Sequence, residues 1–242
     1  MRHGLSVLAV VSLLLFAQVA VAAADKPKRT PLEALKAFND LIGSWKGTGI
    51  PEGTRQEQQR DFWTEHMTWK WQFKGADAWL KVAFEKSKHF TKGELRYLPD
   101  KDQFQLTLQT PAKEALTFTG AYKEKERVLY MERADDKTKE SQRLVFSFLH
   151  ANRFLYRYEV KPQKRPVYAK KYQVGATKEG VAFASGDDKP ECVVSGGLGK
   201  IQVTYKGKTY YVCCTGCRDA FKEDPEKYIK EFEARKKNEK AK

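Results

Sequence analysis

Apolar and polar residues alternate from Trp45 to about Val174, broken by short polar turns and showing no helical period. A period of two marks strands with one buried face. The pattern predicts about ten strands, at 45–50, 59–73, 78–90, 94–97, 103–109, 115–122, 127–133, 142–149, 153–160 and 167–173. On the second strand Trp63, Met67, Trp69, Trp71 and Phe73 share one parity, as do Leu80, Val82 and Phe84 on the third. Phe104, Leu106 and Leu108 repeat the arrangement, and so do Leu144, Phe146 and Phe148. Turns such as Pro99-Asp100-Lys101-Asp102 and His150-Ala151-Asn152 are short enough for an antiparallel meander. Closing it into a barrel removes the exposed edges. The apolar face then either packs a filled core or lines a cavity for a small hydrophobic molecule.

Before the first strand, Leu32, Leu35 and Phe38 stand at helical spacing behind Thr30 and Pro31, a cap and a first-turn proline. Gly43, Trp45, Gly47 and Gly49 then share one strand face, where missing side chains let another group approach closely. Residues 1–24 open on Arg2, continue through an apolar core and end in Ala22-Ala23-Ala24, as a secretory signal peptide does. An uncleaved anchor is the alternative. The expected organisation is a signal peptide at 1–24, a barrel domain at 25–175, a polar linker at 176–190 and a small module at 191–242.

All four cysteines lie in that module: Cys192, then Cys213, Cys214 and Cys217, in a C-x20-C-x3-C pattern with one additional thiol. Thiolates are soft ligands, and a compact site draws them from two chain segments. Ile201 to Tyr205 and Thr209 to Val212 read as a hairpin that returns the chain to Cys192. Cys213 and Cys217 stand about one helical turn apart. Asp224-Pro225-Glu226 starts a further helix with Tyr228, Ile229 and Phe232 as its packing face.

The run from Cys192-Val193-Val194-Ser195-Gly196 through Cys213-Cys214-Thr215-Gly216-Cys217, Phe221 and Asp224-Pro225-Glu226-Lys227-Tyr228 resembles the TRASH/YHS group of cysteine-rich modules. That resemblance implies a treble-clef-like α+β unit for heavy-metal binding, trafficking or sensing, with Cys192, Cys213 and Cys217 as the family cysteines. Cys214 is an additional thiol, and a fourth ligand would be Cys214, a carboxylate, water or a partner's group. Zinc and copper are the expected ions. The competing reading is a disulfide-bonded module, since an oxidising compartment favours bridges. A redox role for Cys214 and Cys217 is the third, without the βαβ pattern of thioredoxin-like proteins.

The opening Leu-x-Gly-x-Trp-x-Gly-x-Gly and the strand count are similar to nitrobindin-like and lipocalin-like barrels. In the haem-binding members a histidine near the end of the barrel ligates iron. The final strand here, from Pro166 to Val174, has no histidine, which speaks against haem. His66, His89 and His150 read as surface or hydrogen-bonded side chains.

Lys and Arg number 45 against 31 Asp and Glu, a formal net charge of +14. The lysines are dispersed, which implies general attraction to anionic surfaces and argues against nucleic acid as a partner. The stretch from Arg235 to Lys242 reads as a solvated helix end. No G-x-S-x-G, H-E-x-x-H or phosphate-binding glycine loop occurs, and Ser195 reads as turn chemistry beside a ligand knuckle. The expectation is therefore an exported, periplasmic or secreted, non-enzymatic protein: mainly β, a lipocalin-like barrel followed by a thiolate module at Cys192, Cys213, Cys214 and Cys217. The alternative is a carrier of a small hydrophobic ligand in the barrel.

Overall fold

The computed structural model describes residues 28–180 and 190–240, so the expected signal peptide at 1–24 and most of the expected linker lie outside the described residues. Ten antiparallel strands form a closed barrel. They are β1 (Gly43–Pro51), β2 (Trp63–Lys74), β3 (Asp77–Glu85), β4 (Lys92–Leu98), β5 (Gln103–Gln109), β6 (Ala115–Lys123), β7 (Val128–Ala134), β8 (Ser141–His150), β9 (Arg153–Lys161) and β10 (Ala169–Lys178). Each strand pairs with its sequence neighbours, and β1 closes the ring against β10 with Gly47 opposite Ala176.

The alternation seen in the sequence becomes inside and outside. Met67, Trp69 and Trp71, Leu80 and Val82, Leu106 and Leu108, and Leu144 and Phe146 are all buried. Helix α1 (Pro31–Leu35) starts from a capping box in which Thr30 and Glu33 satisfy each other's backbone donors. It runs into a 3-10 turn, Lys36–Leu41, that closes one end of the barrel. There Phe38 packs against Phe104, Tyr122 and Phe148 at ring distances of 5.2, 5.0 and 5.6 Å. Inside, a cavity of about 10 Å³ lined by Met67, Trp69, Phe84 and Tyr156 remains, room for one water.

One carboxylate is folded into this apolar interior. Glu65 is fully buried and accepts hydrogen bonds from Tyr156 Oη (2.7 Å), Trp63 Nε1 (2.9 Å) and Ser87 Oγ (2.7 Å). Three donors replace the water that its carboxyl oxygens lose on burial. The smallness of Gly47 and Gly49 makes room on this side: a Cβ at Gly49 would stand 2.1 Å from the Trp63 indole.

Three boundaries differ from the expected ones. The second strand begins at Trp63, because Arg55–Asp61 forms a helix, α2, under a Thr54–Glu57 capping box. None of its residues is buried, so it leaves no apolar period to read. The third strand ends at Glu85 and does not reach 90, as Lys86 takes a left-handed φ of 57°. The last strand is shifted toward the C-terminus and runs to Lys178, so the first residues assigned to the linker complete the barrel.

Candidate metal centre

Four elements build the C-terminal part: β11 (Ile201–Tyr205), β12 (Lys208–Val212), α3 (Thr215–Glu223) and α4 (Pro225–Lys240). The hairpin β11–β12 turns on Lys206 and Gly207, with φ of 47° and 76°, as a two-residue turn matching strand twist requires. Cys192 forms a parallel bridge with Tyr211, which sets it beside the end of β12 that carries Cys213. From Cys192 the chain folds into a tight knuckle: Cys192 N donates to Gly197 O (2.6 Å) and Gly196 N to Cys192 O (2.9 Å). Gly196, at φ 76°, supplies the left-handed residue this reversal needs. Cys214 occupies the N-cap position of α3, and Cys217 lies in its first turn.

The sulfurs of Cys192, Cys213 and Cys217 consequently lie within 4.8 Å of one another, and all three residues are buried. Cys213 Sγ and Cys217 Sγ are 3.4 Å apart. All four cysteines are free thiols. Cys214 stands outside this group of three; its Sγ is 3.9 Å from Cys213 Sγ and accepts the main-chain N–H of Trp71 at 3.4 Å.

Protons are shared among these sulfurs. Hydrogen bonds from the Cys213 and Cys217 thiols hold Cys192 well below the usual thiol range, helped by the Ser195 hydroxyl and N–H. The same bond to Cys192 pushes Cys213 up, and burial pushes Cys217 up. Cys214 is held down by the Cys213 and Cys217 thiols and, more weakly, by the Trp71 N–H. Buried thiolates need a compensating positive charge, and protons on neighbouring thiols supply part of it here. A soft cation would supply it better, and the donor set of three converging sulfurs fits one.

Groups from outside the hairpin hold the knuckles in place. Beyond Trp69 the edge of β2 facing β1 is uncovered, because β1 begins at Gly43 opposite that residue. Helix α3 fills this gap. Cys214 takes the Trp71 N–H, and Gly216 sits so near that an added Cβ would stand 1.7 Å from the Trp71 carbonyl oxygen. Asn39 links both sides, donating to Ser195 O (3.0 Å) and accepting from Trp71 Nε1 (3.2 Å). From α4, Arg235 donates to the carbonyls of Val193 (3.0 Å) and Cys192 (3.4 Å) and pairs with Glu191 (3.3 Å).

Asn39, Trp71 and Arg235 were not among the expected site residues. Arg235, expected to be a solvated helix end, instead clamps the first knuckle. Its position seven residues after Tyr228 and three after Phe232, on the packing face of the helix, was the available signal. Among the described residues no histidine joins the cysteine cluster: His66 pairs with Glu179 at 3.2 Å, and His89 stacks on Tyr172 at 4.1 Å.

Fold and site together define a ten-stranded β-barrel protein with a buried cluster of cysteines in a small C-terminal α/β part. Residues 198–231 match the family model of the YHS domain, so the C-terminal part carries that domain. The matched span takes in Cys213, Cys214 and Cys217, while Cys192 precedes it. No curated protein matches the chain.

Proposed function

We propose that this is an exported metal-binding protein that holds a soft transition metal ion, zinc or copper, on Cys192, Cys213 and Cys217, with Cys214 beside them. Its role is delivery, sequestration or sensing of the ion, not catalysis. The observation that carries this reading is the convergence of three buried sulfurs, from two knuckles, within 4.8 Å. The ion would be held by thiolates and would take over the charge balance that shared protons now provide. Arg235 and Asn39 keep the first knuckle in register with the second, so the chain presents the sulfurs already gathered. The barrel acts as the scaffold on which the site is mounted, and the cavity of about 10 Å³ among Met67, Trp69, Phe84 and Tyr156 is water-sized.

Replacing Cys213 and Cys217 together by serine tests the reading. Elemental analysis of the purified variant is expected to show loss of the bound ion, and unchanged stoichiometry would overturn the assignment. Export rests on the leader-like residues 1–24. Determining the N-terminus of the mature protein tests it: a start near Asp25 supports cleavage, and an intact Met1 in the exported fraction contradicts it.

A further inference from the structure

Ser195 and Cys214 both adjoin the three clustered sulfurs, and their surroundings commit them to different work. Cys214 is turned toward the barrel, where its sulfur takes the N–H that β2 offers on its uncovered edge. That sulfur is not one of the three that lie within 4.8 Å of one another. Ser195 is fully buried and faces the cluster. Its N–H donates to Cys192 Sγ at 3.4 Å. Its Oγ accepts the Gly197 N–H at 3.4 Å and lies 3.5 Å from Cys213 Sγ. The hydroxyl keeps a second lone pair, which can be directed at an ion among the sulfurs. The Ser195–Cys213 distance is also what one ion imposes on an oxygen and a sulfur ligand: about 3.5 Å, from bond lengths of about 2.0 and 2.3 Å and tetrahedral angles.

We propose that Ser195, and not Cys214, stands at the fourth position around an ion held by Cys192, Cys213 and Cys217, while Cys214 latches the cysteine module to β2. This rests on the metal-binding reading above and deepens it. Three thiolates and one weak oxygen suit ions content with three soft donors, Cu(I) foremost, over ions that demand four strong ones. Ser195 is thereby the residue that sets selectivity, and it lies outside the span matched by the YHS model.

Cadmium(II) added to the reduced full-length protein is the probe, read by thiolate-to-metal charge-transfer absorbance per ion and by competition with a chelator. Wild type and Cys214→Ser are expected to give equal absorbance per ion. Ser195→Cys adds a fourth thiolate to three, so absorbance should rise by about one third and cadmium be held at least ~10-fold tighter. A loss of about one quarter in Cys214→Ser, four thiolates falling to three, would make Cys214 a ligand and overturn the proposal. So would a Ser195→Cys variant that absorbs and binds as wild type does, and this variant keeps the Cys214 latch should Cys214→Ser fail to fold. A wild-type protein that takes up no cadmium would instead overturn the underlying metal-binding reading.

Discussion

Gly216→Ala isolates the seam between the cysteine module and the barrel. Gly216 lies in the first turn of α3, where helix propensity alone favours alanine by about 1 kcal/mol. The structure reverses that sign. The new Cβ would stand 1.7 Å from the Trp71 carbonyl oxygen and 2.7 Å from its carbon, both backbone atoms that no rotamer change can move. Relief requires α3 to withdraw from β2 by more than an ångström, at a cost of about 1–3 kcal/mol for overpacking. Withdrawal also stretches the Trp71 N–H to Cys214 Sγ bond, and a buried unpaired N–H costs about 1–3 kcal/mol. Less the propensity gain, the net destabilisation is about 1–5 kcal/mol, or roughly 2–20 °C in Tm for a chain of this length. Thermal and urea unfolding of the two proteins measure it. A variant as stable as wild type, or more stable, would show that α3 does not rest on the Trp71 carbonyl.

Four further outcomes follow from particular contacts. Glu65→Ala strands three donors in the barrel interior, Tyr156 Oη, Trp63 Nε1 and Ser87 Oγ, and should cost about 3–5 kcal/mol in urea unfolding; a loss below 1 kcal/mol would refute the network. Arg235→Ala releases the carbonyls of Cys192 and Val193 and should weaken metal retention by about 10- to 100-fold, with Arg235→Lys recovering part of the loss; affinity equal to wild type would make the contact merely decorative. Thr54→Ala removes the cap of α2 and should cost about 1 kcal/mol without changing metal binding, since α2 is far in the sequence from the cysteines and packs on β1. Because Cys213 and Cys217 have raised pKa values and must lose their protons to ligate, metal affinity should climb with pH and loading should acidify a weakly buffered solution; a pH-independent affinity would contradict thiolate ligation.

The barrel was legible because its strands are wetted on one face and buried on the other, so parity alone separated Trp69 and Trp71 from Lys70 and Gln72. Helix α2 was not, because a wholly solvated helix carries no apolar period, and only its capping box at Thr54 and Glu57 betrays it. The sulfur cluster was legible for a local reason: the hairpin and helix between Cys192 and Cys217 fold on themselves, so spacing along the chain is spacing in the site. Its supports were not, because they are contacts between distant segments. Trp71 meets Cys214 across 143 residues, and Asn39 meets Ser195 across 156. No spacing rule reaches that far, and the uncovered edge of β2 that receives α3 exists only once β1 and β2 are paired in register.

The measurement that bears most directly on the proposed function is elemental analysis of the mature protein purified without reductant or chelator, with reactive thiols counted before and after metal removal. About one equivalent of zinc or copper is expected, with thiols becoming reactive only after chelation. Protein without metal whose thiols are all accessible, or all oxidised, would contradict thiolate metal binding at Cys192, Cys213 and Cys217.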